Sequence, residues 1–182
     1  EAYVVGGCVR DALMGFDPND FDMTTNATPV EVKGIFHDVP VFETGIEHGT
    51  VTVLLDAHPF EITTYRIDGE YLDRRRPSNI EFTKSIREDL ARRDFTINAI
   101  AYSPHTGLVD PFGGQEDIRA KIIRCVGDPS KRFEEDALRI VRAVRFAAVL
   151  GFGIEPKTKE ALLKAKDTIL EVAVERITAE FS

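Results

Sequence analysis

With 182 residues, 43% of them hydrophobic and 30% charged, the chain has enough apolar mass to bury a core and reads as an ordinary globular protein of one or two small domains. No apolar run approaches the roughly 20 residues that cross a bilayer, and no basic stretch followed by an apolar one opens the chain; no membrane partner and a cytoplasmic location are expected. A net charge of -8 excludes broad, non-specific nucleic-acid binding, and two cysteines, Cys8 and Cys125, are too few for a disulfide framework or metal cluster, so both are expected as reduced thiols in or near the core.

Tyr3-Val4-Val5 predicts a short buried strand, which Gly6-Gly7 turns into a helix carrying Arg10, Asp11 and Leu13 and ended by Gly15. Phe21 and Met23 alternate with Asp20, Asp22 and Thr24, the period of two of a strand with one polar face. Thr28-Pro29-Val30-Glu31 is a capping box with proline at the first helical position, so residues 29–36 should be helical. Val39 to Phe42, Thr50 to Leu55 and Phe60 to Tyr65 are β-branched and aromatic, and predict further strands of the same sheet. From Arg66 to Lys84 periodicity fails while charge, Pro and Asn take over, which predicts a mobile loop.

Ser85-Ile86-Arg87-Glu88 is a second capping box, opening a short helix that leads into Arg92-Arg93-Asp94. Asn98 to Ser103 and Leu108 to Asp110 predict a hairpin across His105-Thr106-Gly107, followed by a turn at Asp110-Pro111-Phe112-Gly113-Gly114. Beyond Asp128-Pro129 the pattern is wholly helical. In one helix from about Ser130 to Val149, residues Phe133, Ala137, Ile140, Val141, Val144 and Ala148 form an apolar stripe, while Arg139, Arg142 and Arg145 point the other way with Asp136 beside Arg139. Leu138 and Phe146 share that second face, which implies a helix wedged between two parts of the molecule. The expected class is therefore α+β, a mixed-sheet domain over residues 1–127 followed by a helical domain over 128–182. A strand that starts within the first few residues and a helical pattern still running at Ser182 read as a piece of a longer chain.

Asp20 and Asp22, two apart on a strand, project both carboxylates from one face and can share a divalent ion. Glu61, in Phe60-Glu61-Ile62, could complete a carboxylate triad. An isolated Asp-x-Asp is common on surfaces. The Gly6-Gly7 turn changes the balance, because it presents backbone N–H groups at a helix start, where phosphate is stabilised, with Arg10 one turn in. A phosphate cradle beside a carboxylate pair implies phosphoryl or nucleotidyl transfer. Charge clusters at Arg74-Arg75-Arg76, Lys84, Arg87, Arg92 and Arg93, and at Arg139, Arg142 and Arg145, are the places for local RNA contact; the plainer expectation for each is a solvated face.

Taken in order, Gly6-Gly7-Cys8-Val9-Arg10-Asp11 with Asp20-Phe21-Asp22, then Arg92-Arg93-Asp94-Phe95-Thr96-Ile97-Asn98-Ala99, Asp110-Pro111 with Gly113-Gly114, and Glu135-Asp136-Ala137-Leu138-Arg139 with Arg142 to Ala147 resemble the motifs of class II tRNA nucleotidyltransferases. The resemblance spans nearly the whole chain. With the bacterial poly(A) polymerases, that family belongs to the DNA polymerase beta-like nucleotidyltransferases. It implies such a head followed by a helical neck, with Asp20 and Asp22 holding Mg2+ in a two-metal mechanism. It also implies that Gly7, Arg10 and Arg93 contact the incoming nucleotide, with Gly6, Asp94 and Asn98 in the same binding set, and that Asp136, Arg139, Arg142 and Arg145 form the nucleotide pocket.

The pocket's chemistry can be argued independently. Cytosine and adenine each offer an amino donor beside a ring-nitrogen acceptor, which a carboxylate and a guanidinium satisfy together, whereas uracil and guanine reverse the pattern. Unpaired buried groups can give discrimination of ~10^4. The plainer expectation is an Asp136–Arg139 ion pair within the helix, worth only ~0.2 to 0.5 kcal/mol. Arg66, Asp73, Arg74, Arg75 and Arg76 are candidates for a loop that repositions the pocket between C and A addition. The resemblance therefore implies extension of the tRNA 3' end from CTP and ATP with release of pyrophosphate. Rivals are a CC-adding or A-adding specialist, a poly(A) polymerase, a small-molecule nucleotidyltransferase and a non-catalytic RNA-binding module.

Overall fold

A computed structural model describes residues 1–18, 20–69, 71 and 78–181. The first half comprises β1 (Ala2–Val5), α1 (Gly7–Leu13), β2 (Asp22–Thr25), α2 (Pro29–Ile35), β3 (Val41–Gly45), β4 (Thr50–Leu55), β5 (His58–Thr64), β6 (Arg66–Asp68) and β7 (Ile80–Phe82). Then come α3 (Ile86–Ala91), β8 (Ala101–Ser103), β9 (Gly107–Val109), α4 (Gly114–Ala120), β10 (Ile122–Ile123), α5 (Pro129–Glu135), α6 (Leu138–Leu150), β11 (Gly153–Ile154), α7 (Pro156–Ala165) and α8 (Val174–Glu180). Seven strands make one sheet in the order β3-β4-β5-β2-β1-β8-β9. Only β2 and β5 run parallel within it, so the sheet is mixed, as expected.

The caps carry most of the local logic. Thr28 accepts from Glu31 N at 3.3 Å and Glu31 accepts from Thr28 N at 2.7 Å, the reciprocal bonding that starts α2. At α3 only half of the expected box forms. Ser85 accepts from Glu88 N at 3.4 Å, but the Glu88 carboxylate turns to the Thr83 hydroxyl instead. Asp110 accepts from Gly114 N at 2.7 Å and Gln115 N at 2.9 Å and so starts α4. Gly114 is required there, since a Cβ would lie 2.2 Å from the Thr96 carbonyl oxygen.

The sheet has two distinct faces near β2. Val4, Phe21 and Met23 line an apolar cavity of about 610 Å³ between α1 and β8-β9, which contains none of the candidate site residues. On the opposite face, Tyr3, Val5 and Tyr65 pack with Leu90, Ala99, Ala101 and Val126. A second cluster runs through Phe95, Ile97, Ile123, Cys125, Phe133, Ile140, Ala143, Phe146 and Phe152, and so draws on residues on both sides of Asp128.

Four expectations change. Asp20 precedes β2 rather than lying in it. The segment from Arg66 to Lys84 is not all loop, because β6 and β7 pair antiparallel across it with Arg66 opposite Phe82; strands of three residues are too short for their periodicity to register. The single helix from Ser130 to Val149 is two, broken where Asp136 takes an extended conformation (φ -149°, ψ 109°) and its carboxylate accepts from Leu138 N at 3.0 Å. Within α6 the expected apolar stripe holds only at Ile140 and Val141; further along, Ala143 and Phe146 are buried while Val144 and Ala148 are exposed. Finally, the region beyond Asp128 is not wholly helical, since β11 pairs parallel with β10.

Candidate active site

Gly6 ends β1 with φ +83° and ψ -132°, a conformation that L side chains rarely adopt. A Cβ there would lie 3.1 Å from Arg93 Nη1, so the turn and the guanidinium are in close approach. Cys8, in the first turn of α1, donates to the Val5 carbonyl at 3.4 Å and lies against the Asp22 backbone. Burial, opposed mainly by that backbone contact with Val5, raises its thiol pKa. Phe21 and Met23 point into the apolar cavity, which leaves Asp22, between them, to the other side, while Asp20 just ahead of β2 is close enough to act on it. Although Asp22 is open to solvent as a residue, the surrounding protein raises its carboxyl pKa; the neighbouring Asp20 adds to the rise and Arg93 opposes it. The Gly6 turn, the paired aspartates and Arg93 therefore meet at one place, with Glu61 opposite Asp22 on the adjacent strand.

Arg93 is held from behind by Asp89, a fully buried carboxylate. Asp89 accepts from Thr24 Oγ1 and Arg66 N, each at 3.3 Å, and from Arg92 Nε at 3.0 Å, and stands 3.6 Å from Arg93 Nη2. The Nε of Arg93 is buried and has no protein acceptor among the described residues. Burial, reinforced by the adjacent Arg92, lowers the pKa of Arg93. The Arg93 side chain as a whole is 19% exposed, and that open part, not the buried Nε, is what an incoming anion can meet.

A polar chain leads from this turn to α6. Arg10 Nη1 donates to Asn98 Oδ1 at 2.8 Å, and Asn98 Nδ2 donates to Asp94 Oδ1 at 3.2 Å. Arg142 Nε donates to Asp94 Oδ2 at 2.8 Å and its Nη1 to Glu180 at 3.2 Å, and Arg145 Nε donates to Glu180 at 2.7 Å. Burial alone would raise the Asp94 carboxyl, but Arg142, Phe95 N–H and Asn98 outweigh it and hold its pKa below the ordinary value. The Phe146 ring sits among the guanidinium groups of Arg10, Arg142 and Arg145, 5.1, 5.2 and 4.2 Å from its centroid.

Asp136 and Arg139 do not form the intrahelical ion pair weighed above. Asp136 is gripped by Arg176 of α8 at 3.2 and 2.8 Å. Arg139 pairs with Glu135 and donates to the carbonyls of Arg132 at 3.0 Å and Arg92 at 3.3 Å. Its guanidinium lies 5.9 Å from the Tyr71 ring. Ile67, Asp68, Tyr71, Arg92, Arg132 and Glu135 line a cavity of about 300 Å³ beside it. The Arg92, Arg93, Arg139 and Arg142 side chains are thus inward-facing and paired, not a solvated face.

Of the loop candidates, Arg66 is built into β6, where it donates to Asp68 at 3.0 Å and to the His48 carbonyl, so it is part of the scaffold. Asp73, Arg74, Arg75 and Arg76 lie outside the described residues. Sequence reasoning passed over Asp89, Glu135, Arg176, Glu180 and Phe146 as functional positions. Asp89 had a readable signal, its i,i+3 and i,i+4 spacing to Arg92 and Arg93. Arg176 and Glu180 had none, because their partners stand 40 and 38 residues away.

Among the described residues no three Asp, Glu, His or Cys side chains gather as a ready metal cage. The donor chemistry nonetheless fits a hard divalent cation, because burial first and the neighbouring Asp20 second raise the Asp22 carboxyl, both of which a bound cation offsets, and a cation that takes most of its ligands from water and phosphate needs only such a pair.

Paired aspartates beside a strained glycine turn, faced by buried arginines on a mixed sheet, define a nucleotidyltransferase type of head. The chain belongs to the poly A polymerase head domain family, which matches residues 2–124. It is 51% identical over 181 residues to the CCA-adding enzyme of Lactobacillus helveticus, covering 100% of this chain and 45% of that enzyme. In structure it is similar to the Bacillus stearothermophilus CCA-adding enzyme in complex with CTP, with a TM-score of 0.89, 44% identity, and coverage of 100% of this chain and 43% of that one. A tRNA nucleotidyltransferase complexed with a primer tRNA and an incoming ATP analog matches at a TM-score of 0.80 and 33% identity, over 99% of this chain and 51% of that one. The chain thus spans less than half the length of the CCA-adding enzymes it matches. No helix among the described residues is long and apolar enough to cross a membrane.

Proposed function

We propose that this chain carries the catalytic and nucleotide-selecting part of a CCA-adding enzyme, which extends the 3' end of tRNA from CTP and ATP and releases pyrophosphate in the cytoplasm. The observation that carries this reading is the position of Arg93, between the Gly6 turn and Asp22 and backed by buried Asp89. The similarity to enzymes solved with CTP, and with tRNA and an ATP analog, supports the choice of substrates.

Residues 1–127 supply the chemistry and 128–182 the selection. Asp20 and Asp22 would hold Mg2+, which when bound activates the attacking hydroxyl and neutralises charge on the leaving group. Glu61, opposite Asp22 in the sheet, stands beside this pair and does not complete the three-carboxylate cage expected from the sequence. Gly6 and Gly7 let backbone N–H groups approach the triphosphate, and Arg10 and Arg93 neutralise its oxygens. The tRNA 3' oxygen bonds to the α-phosphorus as the bond to pyrophosphate breaks. Asp94 and Asn98 tie Arg10 to Arg142, so that phosphate grip and pocket move as one unit, with Arg145 held through Glu180. Asp136 and Arg139 read the base edge.

In the full-length protein, tRNAs ending at successive positions of the CCA tail should incorporate labelled CTP and ATP in Mg2+. Product length distinguishes full CCA addition from CC-only, A-only or poly(A) synthesis, and an inactive full-length protein would sink the proposal.

A further inference from the structure

The hydrogen bonds of Asp136 leave little room. An ionised carboxylate offers about four lone-pair sites. Oδ1 accepts from Leu138 N at 3.0 Å and from Arg176 Nη1 at 3.2 Å, and Oδ2 accepts from Arg176 Nη2 at 2.8 Å. Three sites are therefore taken by described residues, and the remaining one is on Oδ2. Asp136 sits at the break between α5 and α6, so without Arg176 only the Leu138 N–H among these donors would fix the plane of its carboxylate. The pair is no loose surface contact, because the two side chains are only 23% and 17% exposed and the contact has two points. Glu180, one turn further along α8, binds Arg142 and Arg145. α8 is thus tied through Arg176 to the break at Asp136 and, one turn on, through Glu180 to α6, which fixes the reach of the Arg176 side chain.

We infer that Arg176 is a specificity-positioning residue: its two-point grip sets the plane of the Asp136 carboxylate and leaves one acceptor site on Oδ2 for the exocyclic amino group of cytosine or adenine. A base that presents a carbonyl at that position, as uracil and guanine do, meets an acceptor and is rejected. The inference rests on the reading of Asp136 as the base reader, and its test separates the two.

The readout is the ratio of kcat/KM for CTP over UTP in single-nucleotide addition by the full-length protein to a tRNA lacking its CCA end. Asp136→Ala and Arg176→Met should each lower that ratio by about tenfold or more. Arg176→Lys, which keeps the charge but makes only a point contact, should fall between wild type and Met. If Asp136→Ala leaves the ratio unchanged, the base-reading assignment fails and the inference with it. If Asp136→Ala lowers the ratio while Arg176→Met leaves it unchanged, or cuts CTP and UTP use equally, Arg176 is only scaffold and the inference alone is overturned. A wild-type ratio in a well-folded Arg176→Lys protein overturns it as well, and that variant decides the question if the Met variant does not fold.

Discussion

Replacing Asp89 by Asn removes one charge without changing shape, at a carboxylate with no exposed surface. The side chain accepts from Thr24, the Arg66 backbone and Arg92, and stands 3.6 Å from Arg93. An amide keeps one acceptor oxygen but turns an N–H2 group toward guanidinium groups that also donate. Breaking a buried pair by removing one partner costs about 3–5 kcal/mol, a large part of a typical ~5–15 kcal/mol of stability. At about 2–4 °C per kcal/mol for a protein of this size, the melting temperature should fall by roughly 6–20 °C. Urea unfolding gives the free energy directly, and an unchanged m-value would show that the folded state kept its compactness. Arg93 is also released, so KM for CTP and ATP should rise in the surviving folded protein. A loss of less than about 1 kcal/mol, in the range of an ordinary neutral hydrogen bond, would refute the account of Asp89 as the buried anchor of these arginines.

Three other outcomes follow from the site. Asp22→Asn should cut incorporation by more than the roughly 10–100-fold typical of an outer-shell partner of a metal. It should leave the metal-free melting temperature equal or higher, because burial and Asp20 already disfavour the charged form in the folded state; a marked drop would contradict this. Asp94 has a lowered folded pKa, so its contribution is present above its unfolded value of about 3.9 and is lost as pH falls through the folded value. The unfolding free energies of wild type and Asp94→Asn should therefore differ at neutral pH and converge below about pH 4; equal gaps at about pH 3 and 7 would be the contrary result. Gly6→Ala should cost about 1–3 kcal/mol of backbone strain and push Arg93 aside, weakening triphosphate affinity; unchanged nucleotide binding by calorimetry would count against the close approach.

What the sequence made legible was mostly local. The proline-started α2, the β8-β9 hairpin and the turn at Gly6 depend on neighbouring residues, and each formed as its residue types require. The proximity of Asp20 and Asp22 was readable because they are two residues apart, whereas the start of β2 at Asp22, after Asp20, was not. The β6-β7 and β10-β11 ladders were not, because two or three residues carry no periodicity and their pairing is decided by distant partners. The split of the long helix was hidden because Asp136 looks like a pocket residue and also ends one helix and begins the next. The arginines were visible as a charged face. Their inward role depends on Asp89, Glu135 and Glu180, which only tertiary structure brings under them.

The cluster from Phe95 to Phe152 is built from residues on both sides of Asp128, and β10 and β11 bridge the same border. Severing the backbone there would yield two sticky fragments, one baring Phe95, Ile97 and Ile123 and the other Phe133, Ile140 and Phe146. Neither should persist alone in water, but co-expressed they should reassemble by complementation, with recovery of the cut protein reporting on how firmly the segment beyond Asp128 is seated.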